Sequence, residues 1–433
     1  MVFDFSAGIS LWYSVPFFLM LLSIALGPLL FEHWWEKNNN KLMVSMLLGL
    51  PLAVVMLLGG LKIELTHQLL YDYVPFIVLL GSLFIITGGI HFSGNIESTP
   101  INNTMLLAIG GLLASFMGTT GAAMLLIRPM IKINSQREFK VHSILFFIAI
   151  IANAGGMLTP LGDPPLFLLY LRGAPFAWFM SLFAEWLFVL IMLLVIFFIT
   201  DTIFQRKEHP KPVIVSKKEA FSIKGKTNLI LLLGVIAAVA FINENYISAI
   251  KTNHSLAFLR EGFIMLMATL SLWLTSDKLR YVENKFTWTP ITEVAFLFLG
   301  IFLTMLPTLL FIEHNSQSFG INKASEYFYT TGILSSFLDN APTAVSFHKL
   351  ALGMTAIPGE VMVARIPESI LKAISTGAVF FGAMTYIGNG PNFMIKAIAE
   401  ESGISMPNFF AYIFKFSILV LLPVYVLSQL IFL

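Results

Sequence analysis

A stretch of ten residues, Gly156-Met-Leu-Thr-Pro-Leu-Gly-Asp-Pro-Pro165, interrupts an apolar run from about His142 to Leu171. Proline removes backbone donors and glycine loosens a helix, so a helix should open here. In a bilayer, opened backbone is tolerated only where protein buries it or a watery cavity faces it. Asp163 is a carboxylate within this opening. The stretch therefore predicts a functional site at membrane depth.

A second stretch repeats the pattern. Gly382-Ala-Met-Thr-Tyr-Ile-Gly-Asn-Gly-Pro391 shares the form G-x-x-T-x-x-G-[DN]-x-P with the first stretch and follows it by 226 residues. Paired broken helices in corresponding positions of two halves point to the binding site of a secondary transporter.

The composition places the chain in a membrane. It is 57% hydrophobic and only 12% charged, whereas soluble domains carry about 25% charged residues. No basic cluster interleaved with aromatics suggests nucleic acid, and the absence of cysteine excludes thiol catalysis and cysteine-ligated metals. Neither a phosphate-binding Gly-x-x-x-x-Gly-Lys loop, a zinc-protease motif nor a catalytic triad occurs, so we expect no enzyme. The first ten residues lack the basic start of a cleaved signal peptide, so the first helix should remain.

Hydropathy predicts twelve segments long enough to cross a bilayer. The basic residues 203–226 divide them into six and six. The segments are Leu11–Phe31, Leu42–Gly60, Tyr73–Phe92, Met105–Ile131, His142–Leu171, Ala177–Thr200, Thr227–Ile247, Glu261–Thr275, Thr292–Ile312, Tyr327–Leu350, Ser369–Ile398 and Asn408–Phe432. We therefore predict an all-α polytopic membrane protein with a first repeat over residues 1–202, a linker over 203–226 and a second repeat over 227–433.

One segment of each half allows two topologies. Ser115–Ala123 aligns with Ser336–Ala344 at an offset of 221. If residues 105–131 and 327–350 are re-entrant hairpins, each half crosses five times and the second half is inverted. If they cross fully, the halves run parallel. Lysine and arginine place the linker in the cytoplasm under both topologies, and the basic-free N-terminus with the Gly/Pro interruptions favours inversion. The broken helices are expected at about 142–171 and 369–398.

Three segments carry a resemblance to a known family. Gly81–Gly89, Ser336-Phe-Leu-Asp-Asn-Ala-Pro-Thr343 and Gly156–Pro165 resemble the ion transporter superfamily, which includes NhaD-type sodium/proton antiporters, arsenite efflux permeases and citrate or dicarboxylate carriers. The resemblance implies inverted repeats, each with a hairpin facing a broken helix, and alternating access, commonly within a dimer. The antiporters usually carry Asp-Asn in the first hairpin, where this chain has Gly118-Thr119-Thr120.

Each half is expected to bring a hairpin tip against a helix break, with one carboxylate and several neutral oxygens. Such oxygens suit hard alkali cations, and a buried carboxylate can alternate between proton and cation. The predicted sodium ligands are the carboxylates of Asp163 and Asp339. The full set of predicted ion or substrate ligands is Thr119, Thr120, Asn153, Thr159, Asp163, Asp339, Asn340, Thr343, Thr385, Asn389 and Asn392. The predicted backbone breaks are Gly118, Gly121, Gly156, Gly162, Pro164, Pro165, Pro342, Gly388, Gly390 and Pro391.

These observations predict a secondary transporter without a cofactor, most simply a sodium/proton or lithium/proton antiporter of a bacterial inner membrane. The expected partners are a small ion, the lipid bilayer and a second copy of the chain, and no nucleic acid. The alternative is a proton- or sodium-coupled carrier of citrate, a dicarboxylate or another small anion, which the missing Asp-Asn of the first hairpin favours. A passive channel would need no paired broken helices.

Overall fold

The computed structural model describes residues 9–93, 96–208, 222–354 and 359–433. Within these ranges, nine helical stretches are long and apolar enough to cross a membrane. They are Leu11–Leu30, Asn38–Leu58, Lys62–Thr87, Pro100–Met117, Val141–Leu158, Phe176–Lys207, Ser255–Leu274, Thr289–His314 and Phe409–Phe432. The predicted all-α polytopic fold class is confirmed.

The α-helices fall into two series on either side of the central basic residues. The first series is α1 (Val15–Leu30), α2 (Glu32–Trp35), α3 (Asn38–Leu58), α4 (Lys62–His67), α5 (Val74–Thr87), α6 (Pro100–Met117), α7 (Thr119–Ile133), α8 (Val141–Ile150), α9 (Pro164–Leu171) and α10 (Phe183–Lys207). The second series is α11 (Lys226–Phe241), α12 (Ala249–Thr252), α13 (Phe258–Leu274), α14 (Thr289–His314), α15 (Ala324–Phe337), α16 (Asn340–Leu352), α17 (Glu368–Phe381), α18 (Gly390–Glu401), α19 (Phe409–Tyr412) and α20 (Leu422–Phe432).

Shorter elements join these helices. The 3₁₀-helices are Leu11–Ser14, Ala154–Leu158, Phe176–Leu182, His254–Ala257, Ser316–Phe319 and Gly382–Met384. The π-helices are Gln68–Tyr73, Lys278–Glu283 and Ile413–Leu421. Strand β1 (His91–Ser93) pairs antiparallel with β2 (Ser222–Lys224), and β3 (Met362–Val363) pairs antiparallel with β4 (Ile366–Pro367). The β1–β2 pair joins the end of the central segment to the residues that follow the third membrane stretch.

Two helical boundaries differ most from the hydropathy prediction, and in each case an ion pair neutralises a buried carboxylate at the point of difference. The third membrane stretch begins at Lys62, eleven residues before the predicted Tyr73, and Asp72 inside it contacts Arg172 at 2.7 Å. Helix α10 continues through Lys207, into the predicted linker, and Asp201 inside it contacts Arg137 at 2.5 Å. Hydropathy alone ends a segment at such charges. Linker residues 209–221 lie outside the described residues.

Helices α6 and α7 form a hairpin, because its two ends meet. The Asn103 amide near the start of α6 donates to Asn134 Oδ1, just beyond α7, at 2.9 Å. Between the helices, Gly118 has φ +82°, a conformation that favours glycine. In the second half α15 and α16 also form a hairpin, since the Tyr327 hydroxyl lies 2.9 Å from Met354 Sδ, just beyond α16.

The two hairpins enter from opposite ends of the molecule, as contacts at the two ends of α10 show. The base of the first hairpin contacts the C-terminal part of α10, where Asn103 donates to Asp201 at 3.0 Å. The start of α17, which follows the second hairpin, lies at the other end, where Trp178 donates to Glu368 and Lys372 lies 3.9 Å from Glu185. Glu185 and Asp201 are about 24 Å apart along a helix that rises 1.5 Å per residue. Inverted repeats, as predicted from the sequence, would place the two hairpins in this way.

Candidate functional site

Asp163 lies where the two halves meet, with a side chain that is fully buried. Its Oδ1 accepts hydrogen bonds from the Thr119 hydroxyl at 2.8 Å and the Asn389 amide at 3.1 Å. Its Oδ2 accepts one from the Asn340 amide at 2.6 Å. The three donors come from the tip of the first hairpin, the tip of the second hairpin and the second broken helix. Elements distant in the chain therefore converge on one carboxylate.

These contacts follow the internal repeat. Thr119 and Asn340 are equivalent at the offset of 221, and they donate to the two oxygens of the same carboxylate. Asp163 and Asn389 are equivalent at the offset of 226, and they contact each other directly. These two equivalent residues therefore meet at the boundary between the halves. The predicted site is thus built from matched positions that carry different side chains.

A chain of amides continues from Asp163. The Asn389 Nδ2 also lies within hydrogen-bond distance of Asn153 Oδ1 at 3.1 Å and of the Ala152 carbonyl at 3.0 Å. Asn153 in turn donates to Asn392 Oδ1 at 2.8 Å. Asn392 donates to the backbone oxygens of Gly382 and Thr385, at 2.8 and 2.9 Å. The amides of Asn153, Asn389 and Asn392 therefore satisfy opened backbone as well as one another.

The two threonines of the breaks, Thr159 and Thr385, fasten each break to its hairpin. The Thr159 hydroxyl donates to the carbonyl oxygen of Ser115, and the Thr385 hydroxyl donates to that of Ser336 at 2.5 Å. Ser115 and Ser336 are repeat-equivalent. Each threonine oxygen also accepts a backbone N–H two residues later, at 3.2 and 3.1 Å. We name these paired contacts the threonine clasps. They place both hydroxyls on backbone and not on Asp163.

The remaining predicted ligands lie near the tips without contacting Asp163. Asp339 is half-buried, and its carboxylate caps α16 by accepting from the Ala341 N–H at 3.0 Å. Thr343 donates to the Asp339 carbonyl at 2.8 Å, one helical turn back. Thr120 is half-buried and faces a small cavity beside the first tip. The structure thus brings Asp163 together with Thr119, Asn340 and Asn389.

The predicted breaks divide into positions of close approach and helix starts. At Gly162 an added Cβ would lie 2.0 Å from the Gly156 carbonyl oxygen, and at the equivalent Gly388 it would lie 2.7 Å from that of Gly382. Pro164 and Pro165 begin α9, and Pro391 is at the first turn of α18, where proline's missing N–H costs nothing. Pro342 likewise lies in the first turn of α16, and Gly390 has open space around it.

Asp163 differs from the other buried carboxylates in its charge environment. Among the described residues, each of the four others lies within 4 Å of a basic nitrogen: Asp72 with Arg172, Asp201 with Arg137, Glu261 with Arg260 and Glu185 with Lys372. Asp163 has hydrogen-bond donors that are all neutral. Burying an unpaired ion in a protein costs several kcal/mol. This carboxylate therefore needs a proton or a cation.

One further acceptor is available beside the carboxylate. Asn340 donates through Nδ2, and its buried Oδ1 has no hydrogen-bond partner among the described residues. An alkali cation is bound by carboxylate, hydroxyl, amide and carbonyl oxygens. Asp163, Thr119 Oγ1 and Asn340 Oδ1 supply three of these kinds. The donor set fits a hard cation better than a soft metal.

Cavities adjoin the site on the side of the first hairpin. An inner cavity of about 40 Å³ touches Gly118, Thr119, Thr120, Gly162 and Pro164. An outer cavity of about 660 Å³ lies farther along α7, with Arg128, Lys132, His91 and Glu283 among its lining residues. The lining of the outer cavity therefore contains basic side chains, which the contacts of Asp163 do not.

Sequence reasoning missed Ser115 and Ser336 as participants in the site. Both provide the carbonyl of a threonine clasp, and the Ser115 hydroxyl also donates to the Gly155 carbonyl while accepting from the Leu158 N–H. The signal was present in the repeat comparison, since serine occupies both equivalent positions. A small hydroxyl side chain retained in both halves next to a break was sufficient to single them out.

Comparison with known proteins gives a family and distant relatives. The profile of a family described as putative citrate transport matches residues 6–433. Proteins named as uncharacterized transporters in Mycobacterium tuberculosis and Mycobacterium bovis are each 24% identical over 388 residues, covering 84% of this chain and 87% of the relative. The inner membrane protein YbiR of Escherichia coli is 28% identical over 117 residues, covering 24% of this chain and 32% of its own length.

Proposed function

The chain belongs to the putative citrate transport family, and on that premise we propose that this membrane transporter exchanges Na⁺ or Li⁺ for protons by alternating access. The exchanging carboxylates are Asp163 and Asp339. Neighbouring hydroxyl, amide and backbone oxygens complete the cation site. In the same proposal the protein works as a homodimer in the lipid bilayer of a bacterial inner membrane, with the central segment in the cytoplasm and without a cofactor.

The observation that carries this proposal is the absence of a basic partner at Asp163. The other buried carboxylates of the described residues are neutralised by arginine or lysine, which fixes their charge. A permanent cation at Asp163 would hold it ionised and block exchange. Neutral donors leave its charge to be balanced by a transported species. A buried intramembrane acid with no fixed counter-ion is typical of ion pathways.

Each residue around Asp163 has a part in the proposed exchange cycle. Thr119, Asn340 and Asn389 hold the ionised carboxylate of Asp163 with three hydrogen bonds of 2.6–3.1 Å. A cation binds the remaining lone pair of the Asp163 carboxylate and Asn340 Oδ1, and the site becomes neutral. After release, a proton takes the cation's place, so the site again crosses without net charge. Because the cation and the proton compete for one carboxylate, transport of the cation in one direction requires transport of the proton in the other.

Asp339 provides the second exchanging group in this proposal. It sits at the tip of the second hairpin, directly before Asn340, and its carboxylate caps α16 through the Ala341 N–H. A carboxylate at a helix N-terminus is stabilised in its ionised form by the helix dipole. The two acids differ in environment, as the two halves differ in sequence.

A second candidate is a proton- or sodium-coupled carrier of citrate, a dicarboxylate or another small anion. The family description favours it. So does the outer cavity, which is large enough for a small organic anion and has Arg128 and Lys132 among its lining residues. In this candidate Asp163 binds the coupling ion, and the anion binds elsewhere.

Reconstituted vesicles test the proposal. With a pH probe inside proteoliposomes, addition of Na⁺ or Li⁺ outside should move protons, and Asp163→Asn or Asp339→Asn should abolish the movement. Asp277→Asn is the matched control, since Asp277 is exposed and precedes a short surface helix. Normal exchange in both Asp163→Asn and Asp339→Asn would falsify the assignment of the carboxylates.

Radiolabelled citrate distinguishes the second candidate. If wild-type vesicles ignore alkali cations but accumulate citrate against its gradient when a proton or sodium gradient is imposed, the protein is an anion carrier. Accumulation that stops in Asp163→Asn would then assign the coupling ion to this residue. Sodium flux that only runs down its gradient, without proton movement, would identify a channel and exclude both transport candidates.

A further inference from the structure

Three cavities follow one another along the inner side of the first hairpin. We propose that they form a water-filled route from the membrane face that carries β2 to the tip of this hairpin, beside Asp163. The route rests on the proposed transport function, for which it supplies the entrance on one side. It is lined by α5, α6 and α7, by strands β1 and β2, by residues 283–286 after α13 and by the start of α14.

The outer cavity forms the entrance. It has a volume of about 660 Å³, and Ile223 of β2 lines it together with His91 of β1. Its charged residues include Arg128, Lys132 and Glu283. The Lys224 ammonium donates to Glu283 at 2.8 Å, and this hydrogen bond holds the pKa of the Glu283 carboxyl below its ordinary value. Glu283 is therefore a paired anion at neutral pH, and the entrance keeps two further positive charges.

The middle and inner cavities continue inward. The middle cavity, of about 30 Å³, shares Met124, Leu125 and Asn284 with the outer cavity. It shares Phe84 and Gly121 with the inner cavity. The inner cavity, of about 40 Å³, then reaches Thr119, the residue that donates to Asp163. Successive cavities thus have walls in common at both junctions.

The junction between the middle and inner cavities is narrow. It lies at Gly121 of α7, opposite Thr87 of α5. An added Cβ at Gly121 would be 3.0 Å from both the hydroxyl oxygen and the methyl carbon of Thr87. The Thr87 hydroxyl donates to the Leu83 carbonyl at 2.8 Å, so its oxygen lone pairs remain to accept from water. A side chain larger than that of glycine at position 121 would therefore crowd Thr87.

The volumes set what the route can pass. About 10–15 Å³ is enough for one water molecule when volume is counted at the position of the water's centre, so the middle and inner cavities, of about 30 and 40 Å³, each have room for water. The route can therefore hydrate the tip and admit protons and alkali cations to it.

Cysteine labelling tests the route, because the natural chain contains no cysteine. Single cysteines at Met124 and Thr120 would be treated in oriented vesicles with a membrane-impermeant methanethiosulfonate reagent from either face. Val294→Cys, on the opposite wall of the inner cavity, replaces Thr120→Cys if that variant does not insert. We expect modification at least tenfold faster from the face that carries β2. Equal rates from both faces, or faster modification from the opposite face, would overturn the proposal.

Two surface cysteines mark the faces, and one variant tests the junction. Ser135→Cys, in the exposed turn after α7, reports the β2 face, and Ser318→Cys, exposed beyond α14, reports the other. Gly121→Val should slow modification at Thr120 at least tenfold and leave Met124→Cys within twofold. Gly121→Ala is the milder version, with the same direction expected. An unchanged rate at Thr120 in both variants would show that the inner cavity is reached by another path.

The labelling readout separates this inference from the proposed function. Labelling does not require transport. If Asp163→Asn retains exchange and the cysteines are still labelled from the β2 face, the proposed function is wrong and the route stands. If exchange depends on Asp163 while Met124→Cys and Thr120→Cys react only from the opposite face, the function stands and the route is wrong.

Discussion

The side chains around Asp163 show how one duplicated framework supports a site with a single charge. Thr119 and Asn340 are equivalent in the repeats, yet one donates a hydroxyl and the other an amide to the same carboxylate. Asn389 is the equivalent of Asp163 itself and contacts it as a neutral donor. At these two pairs of equivalent positions the halves carry different side chains, so a repeated framework holds an asymmetric site.

The Thr119 hydroxyl should tune cation binding. Thr119→Val keeps the shape but removes a hydrogen bond to an ionised carboxylate, which is worth about 1.5–3 kcal/mol. The ionised form loses this stabilisation, so we expect the Na⁺ concentration for half-maximal exchange to rise about tenfold. Thr202→Val is the control, because that exposed hydroxyl only donates to its own helix. Equal effects of the two substitutions on half-saturation would contradict the role given to Thr119.

The predicted ligand residues could be chosen from the sequence, but which of them contact one another could not. Asp163, Asn340 and Asn389 stood out because polar groups beside proline and glycine in an apolar run demand an explanation. That Thr159 and Thr385 hold backbone, whereas Thr119 faces the carboxylate, depends on distances between elements more than 40 residues apart. Repeat offsets indicate which residues are equivalent, and only the fold shows which of them touch.

At the scale of elements, the two breaks are shaped by backbone packed against backbone. Gly162 and Gly388 occupy equivalent positions, and an added Cβ at either would meet the carbonyl of the glycine six residues earlier. The threonine clasps then hold each opened segment against its hairpin. Each hairpin and its break are therefore joined by direct hydrogen bonds.

Gly162→Ala should destabilise the protein, because its Cβ would lie 2.0 Å from backbone that cannot rotate away. Overpacking of this kind costs about 1–3 kcal/mol, so the thermal transition in detergent should fall by several degrees. Gly390→Ala, where nothing lies within 4 Å of the added Cβ, should leave it unchanged. A transition of Gly162→Ala that matches the wild type would show that the first break can relax.

The base of the first hairpin depends on a buried ion cluster. Asp201 accepts from Arg137 at 2.5 Å and from Asn103 at 3.0 Å, and His142 lies 2.7 Å away. Asp201→Asn leaves Arg137 with Glu208, at 3.0 Å, as its one carboxylate partner among the described residues. We expect a loss of about 3 kcal/mol in the free energy of unfolding, the lower end for breaking a buried pair.

Glu208→Gln is the comparison for that prediction. Glu208 is the more exposed partner of Arg137, and such a pair contributes about 1 kcal/mol or less. Denaturant titration of the two variants should therefore rank Asp201→Asn as clearly less stable. The reverse ranking would mean that Glu208 is the partner that stabilises the hairpin base.

At the scale of the whole molecule, neither half contains a complete site. Asp163 and Thr119 come from the first half, and Asn340 and Asn389 come from the second. Further contacts tie the halves together away from the site, including β1 with β2 and Lys41 with Glu293 at 2.7 Å. The halves form one folding unit despite their common pattern.

Cutting the chain between the two halves should therefore be tolerated, whereas loss of one half should not. Co-expressed fragments divided within residues 209–221 should assemble through these contacts and retain ion exchange in vesicles. Either fragment alone should accumulate poorly and show no exchange. Transport by the first fragment alone would show that Asp163 functions without Asn340 and Asn389.

The class of fold followed from composition and from the Gly/Pro-rich interruptions, because bilayer physics leaves few alternatives. The helix ends did not follow, since Asp72 and Asp201 ended the hydropathic segments while their ion pairs let the helices continue. The opposed entry of the hairpins depends on which ends contact α10, and hydropathy contains no information about that contact.

The threonine clasps also bear on how the two halves could have arisen. The same hydroxyl-to-carbonyl bond, between equivalent threonines and serines, recurs in two halves that face opposite ways. A gene for a single half, whose product inserted in both orientations and paired with itself, would have placed identical residues at positions 163 and 389. Two acids there would repel each other and two amides could carry no proton. A duplication would free the copies to differ, as the acid and the amide that face each other here do.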